Sequence, residues 1–168
     1  MNLWRETALV AGKDLRIEAR SRVTLYQVLP FGLIVVLLFA FALDPSRGVL
    51  SRVAPGLFWV AVLLAALLAV SRSFQVETEN AARDGLRLSG LDPAAVFLGK
   101  AAAIAIQLAV LEVALGAGVA LLYDVELRSL GLLVAAAVAA TAGVAATGTL
   151  YGVLAAGLGF GVGEHGFQ

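Results

Sequence analysis

Residues Val23–Leu43, VTLYQVLPFGLIVVLLFAFAL, carry no charged side chain between Arg22 and Asp44. A helix needs about 20 apolar residues to cross the hydrocarbon core of a bilayer, so this stretch is long enough to span it alone. Val53–Ser71 is likewise charge-free between Arg52 and Arg72, and Ala101–Tyr123 is apolar except for Glu112. The uncharged run Ser129–Gly163 holds a further span, set at residues 129–158, with an irregular tail expected over 159–168. An open sheet in lipid would leave its edge N–H and C=O groups unsatisfied, and the alternation of a barrel strand is absent. The expected fold is an all-α polytopic membrane helical bundle with about four transmembrane helices, a transmembrane domain over 23–163 preceded by a separate helix over 1–22.

Composition agrees. Of 168 residues, 61% are hydrophobic and 14% charged, with a mean hydropathy of +0.94, against about a quarter charged in ordinary globular chains. One soluble core of this size could not hide so much apolar surface. A net charge of zero offers nothing for nucleic acid. With no cysteine, disulfides, thiolate metal sites and cysteine nucleophiles are excluded together. Glu6, Asp14 and Glu18 precede the first apolar run, which is too long for a signal-peptide core, so the first span is read as retained.

Basic residues orient the bundle. Arg5, Lys13, Arg16, Arg20 and Arg22 precede the first span, and Arg72, Arg83, Arg87 and Lys100 lie between the second and third. The other two connections hold only Arg47, Arg52 and Arg128. The positive-inside rule then puts the N-terminus and the long loop 72–100 in the cytoplasm, as in an inner-membrane protein. Within the leader, Trp4, Ala8, Ala11, Leu15 and Ala19 recur at helical spacing beside a stripe of Lys13, Arg16 and Arg20. This predicts an amphipathic helix lying in the interface with Trp4 near the headgroups; the alternative is a solvated leader that only anchors topology.

The stretch Ser71–Lys100, SRSFQVETENAARDGLRLSGLDPAAVFLGK, mixes acids, bases and spaced apolar residues. Asp92-Pro93 suits a helix start, as cap and first-turn proline. The loop reads either as a solvated connector or as a docking surface for a cytoplasmic partner.

The motif Ala54-Pro55-Gly56-x-x-Trp59, the exit Arg72-x-Phe74 and the acidic segment ETENAARDGLRLSGLDPAAVFLGK resemble, in that order, the heme exporter protein B (CcmB) family. These are permease subunits of the cytochrome c maturation ABC transporter, and the resemblance covers roughly residues 5–158, including KDLRIEARSR and GTLYGVLAAGL. It implies an ABC-2-type permease layout and a non-catalytic membrane subunit that transports or releases heme through its complex. A separate ATPase subunit would act on a cytoplasmic coupling helix within Glu77–Pro93, with Glu77, Glu79, Gly85, Leu86 and Pro93 on the matching positions. Ala82, Arg83 and Arg87 depart from the family pattern. The absence of a GxxxxGK[ST] loop in this sequence agrees with an ATP site in the partner. Other cytochrome c maturation membrane subunits and the lipid bilayer are the further partners implied. Family members continue with two more spans, so the closing AAGLGFGVGEHGFQ implies a shortened C-terminus.

Heme iron is normally held by His, Met, Cys or Tyr. His165 lies in the tail, Met1 is the only methionine, and Tyr26, Tyr123 and Tyr151 read as interfacial or packing groups. The expectation is that this chain binds no cofactor directly, while its complex handles heme. Glu112 is costly inside a membrane and must find a partner. It is either a functional acid or a protonated carboxyl hydrogen-bonded to a helix neighbour such as Thr141, Thr147 or Thr149. Gly148 and Gly152 form a GxxxG suited to close helix packing. An ABC-2-type exporter of lipid, polysaccharide or drug shares this layout, and an inactive scaffold subunit is a third reading. A membrane enzyme is disfavoured because no nucleophile–base set or metal cluster is present.

Overall fold

A computed structural model describes residues 2–22, 24–43, 47–79, 90–123 and 130–163. They form five helices: α1 (Leu3–Ser21), α2 (Leu29–Ala42), α3 (Arg47–Glu79), α4 (Pro93–Tyr123) and α5 (Leu130–Gly163). A π-helical turn, Thr24–Val28, leads into α2. Four segments are long and apolar enough to cross a membrane: Thr24–Ala42, Arg52–Arg72, Pro93–Tyr123 and Gly131–Leu154. The chain is an all-α, multi-pass membrane bundle, and no strand occurs among the described residues.

The bundle is organised around α4, which packs against all four other helices. Its Ile104, Leu108, Leu111, Leu115 and Val119 are buried at steps of three or four residues, one face of a helix. Facing them, α3 offers a buried stripe of small side chains, Ala61, Ala65 and Ala69, with Ala66 beside it. Large against small lets the two helix axes approach, and in lipid such packing replaces the hydrophobic drive available in water. Val28, at the end of the π-helical turn, and Val36 of α2 join this core, and Tyr123 at the end of α4 donates its hydroxyl to the Val36 carbonyl at 2.7 Å.

Several helix bounds differ from the sequence reading. α3 begins at Arg47, ahead of the span read from Val53, so Pro55 lies inside the helix. The same helix continues past Arg72 to Glu79, through the opening residues of the expected loop 72–100. α4, by contrast, begins at Pro93 as the Asp92-Pro93 pair indicated, with Asp92 Oδ1 capping it by accepting the Ala94 N–H at 2.9 Å, and the span read from Ala101 is its later part. α5 extends to Gly163, into the segment expected to be irregular, since nothing before that residue breaks the apolar helical run.

α3 and α5 meet through Phe74 and Val70. A Cβ at Gly148 would fall 2.9 Å from Val70 Cγ2, and one at Gly152 would overlap the edge of the Phe74 ring. Gly152→Val should therefore destabilise the bundle by about 1–3 kcal/mol, the usual cost of overpacking. Thermal unfolding in detergent checks this, with Phe74→Ala restoring part of the loss.

Candidate functional site

α1 is joined to α4 by polar contacts as well as apolar ones. Glu6, Val10 and Asp14 are spaced four apart and form the buried face of α1. This is a different face from Trp4, Ala8, Ala11, Leu15 and Ala19, which were expected to meet the membrane interface; Trp4 is 73% exposed. The reason the buried face docks is steric and electrostatic. Gly99 lets the helices touch: a Cβ there would lie 2.6 Å from Val10 Cβ and 2.8 Å from the Thr7 carbonyl oxygen. At the same contact both acids find partners.

Asp14 Oδ2 lies 3.5 Å from Lys100 Nζ, with both side chains below 10% exposure, and Asp14 Oδ1 lies 3.0 Å from Lys13 Nζ. Glu6 Oε2 accepts the Asp92 backbone N–H at 3.0 Å, one residue before α4 begins. The Lys100 ammonium also sits 4.6 Å from the centroid of the Phe74 ring, a cation–π contact. Because Phe74 is the residue that fills the space over Gly152, Lys100 sits at a node linking α1, α3, α4 and α5. Burying charge is costly and is repaid only by close partners, so the node is more selective for geometry than for stability.

Glu112, buried on α4, accepts a hydrogen bond from Thr141 of α5 at 2.7 Å. Thr147 and Thr149 turn back on their own helix, donating to the carbonyls of Gly143 and Ala145. Among the other sequence-derived residues, Pro93 is exposed in the first turn of α4. The backbone of Glu77 and Glu79 lies in the last turn of α3. Gly85 and Leu86 lie outside the described residues, as does His165. Tyr26 and Tyr151 are exposed, at 64% and 71%.

Glu6, Asp14, Gly99 and Lys100 were not read from the sequence as one site. The available signal was the four-residue spacing of Glu6, Val10 and Asp14, which puts two acids on a single helical face.

The sequence profile of the CcmB protein family matches residues 5–162. The chain belongs to the CcmB family. Heme exporter protein B of Escherichia coli (strain K12) is 37% identical over 100 residues, 60% of this chain and 44% of that relative. Heme exporter protein B of Paracoccus denitrificans is 39% identical over 79 residues, 47% of this chain and 36% of the relative. That of Rhodobacter capsulatus is 36% identical over 91 residues, covering 54% and 42%. The matched region thus spans less than half the length of these relatives. No solved structure matches.

Two outcomes follow from the site. Lys100→Met leaves Asp14 buried with Lys13 alone and should cost up to about 3 kcal/mol, whereas pairing it with Asp14→Leu should recover most of that; thermal unfolding of the three variants in detergent checks it. Glu112→Gln keeps an acceptor for Thr141 and should leave stability within about 1 kcal/mol, while Glu112→Leu orphans a buried hydroxyl and should cost about 1–3 kcal/mol.

Proposed function

We propose that this chain is the permease subunit of an ABC transporter for cytochrome c maturation, set in the inner membrane with its N-terminus in the cytoplasm. The observation that carries the reading is the family match over nearly the whole chain, joined to a four-span bundle. The curated relatives named heme exporter protein B support heme, or the release of a heme carrier, as the business of the complex. ATP hydrolysis is assigned to a separate subunit that docks on Glu77–Pro93, with other cytochrome c maturation membrane subunits completing the assembly.

The geometry supplies a way for such a stroke to spread. Residues 80–92 connect two long helices, α3 and α4, that enter the bundle from the docking segment. Displacement of either helix would act on Lys100, and through it on α1, Phe74 and α5. Two arrangements of a packed node can convert a small local push into a helix shift, because packed interfaces are bistable more than they are elastic. Heme is cargo in this reading, and no residue of this chain is assigned as a ligand to its iron.

The test is co-expression with the cytochrome c maturation ATPase subunit in cells lacking the endogenous permease. Wild type should co-purify with the ATPase, and Glu77→Lys with Glu79→Lys should reduce recovery at least fivefold while leaving the permease in the membrane. Undiminished recovery would remove these acids from the docking surface. Failure of the wild type to recover any ATPase would reject the permease assignment.

A further inference from the structure

The structure uses every acid of α1 internally. Glu6 accepts the Asp92 N–H, Asp14 pairs with Lys100 and Lys13, and Glu18 Oε1 accepts the Thr24 N–H at 2.6 Å. The charged side chains that α1 leaves exposed are cationic: Arg5, Arg16 and Arg20, followed by Arg22 where the helix ends. Over the first 22 residues five bases stand against three acids, so the net charge of +2 understates how basic the exposed face is.

At Arg22 the backbone turns through the left-handed region, with φ 52°, and enters the π-helical turn Thr24–Val28. Between this break and α4 lies a groove of about 430 Å³. Leu15, Ala19 and Leu29 form one wall, and Ile106, Val110 and Ala114 the other. From Ile106 to Ala114 the apolar wall runs about 12 Å along the helix axis. The polar groups on the lining are Arg22, Glu18, Thr24 and Gln107. Glu18 is committed to the Thr24 N–H, and Arg22 Nη1 reaches Tyr26 Oη at 3.4 Å on the exposed side.

We infer that this groove is a binding site for one anionic phospholipid, with an acyl chain against Ile106, Val110 and Ala114 and the headgroup phosphate on Arg22. The shape suits a chain that enters at the headgroup level and runs along α4 through the Pro93–Tyr123 span. The charge suits an anion, since a guanidinium presents a planar fork to phosphate, and the basic face of α1 adds long-range attraction to an anionic leaflet. An apolar helix from a partner would fill the groove equally well but would offer the Arg22 guanidinium nothing beyond Glu18, whose carboxylate on the same lining already accepts the Thr24 N–H.

The protein is purified in mild detergent and placed in nanodiscs of equal phosphatidylglycerol and phosphatidylcholine, and the lipid retained after delipidation is measured by native mass spectrometry. One phosphatidylglycerol should be retained about fivefold over phosphatidylcholine, the effect of one arginine at a charged headgroup. Arg22→Gln should abolish that preference and Arg22→Lys should keep most of it, with Arg5→Gln, distant on α1, as the control that changes nothing. Ala114→Phe should lower retention of both lipids by filling the groove. Equal retention of the two lipids by the wild type, or an unchanged preference in Arg22→Gln, would overturn the proposal. Retention of no lipid by a wild type whose thermal unfolding remains cooperative would overturn it as well.

Discussion

The buried pair between Asp14 and Lys100 constrains the arrangement more than any other single contact. A carboxylate and an ammonium withdrawn from water must meet each other or be pulled back out. Satisfying them fixes the rotation of α1 about its axis and its position along α4, because Gly99 admits the contact only where Val10 and Thr7 lie against it. The cation then holds Phe74, and Phe74 occupies the space over Gly152. One ammonium thereby sets relations among four helices. An apolar seam of leucine and alanine alone would tolerate sliding, since many registers of such a seam are nearly equal in energy.

The apolar core performs the complementary task. Alanines on α3 face isoleucine and leucines on α4, so the helices approach closely without an unsatisfied group. Polar groups inside the spans are answered locally: Glu112 by Thr141, Tyr123 by the Val36 carbonyl, and Thr149 by the carbonyl of Ala145. Each bond joins helices or returns to its own backbone, which is the requirement lipid imposes on every polar atom. The bundle is apolar toward the membrane and selectively polar where helices meet.

The four spans were legible in the sequence because a bilayer demands length and apolarity, and both can be read residue by residue. Glu112 was legible for the same reason: one acid in Ala101–Tyr123 stands out against the demand, and Thr141 was among the partners expected for it. The joint between α1 and α4 was not. Its members are far apart in the chain, and a lysine beside a span reads first as a determinant of topology. Trp4 and the alanines of α1 suggested an apolar face, whereas the face that docks carries two acids. Only contact with Lys100 and the Asp92 N–H makes that face the favourable one. The helix ends were also under-read, because the sequence marks where charge begins but not that α3 remains helical through Glu79.

The central claim is that α1 lies on α4 in the register set by Asp14 and Lys100. Reversing one charge alone, Asp14→Lys or Lys100→Asp, should put like charges at the joint and lower the midpoint of thermal unfolding in detergent, while the double reversal should restore most of the loss. A double reversal no more stable than the single variants, or single reversals that cost nothing, would contradict the account.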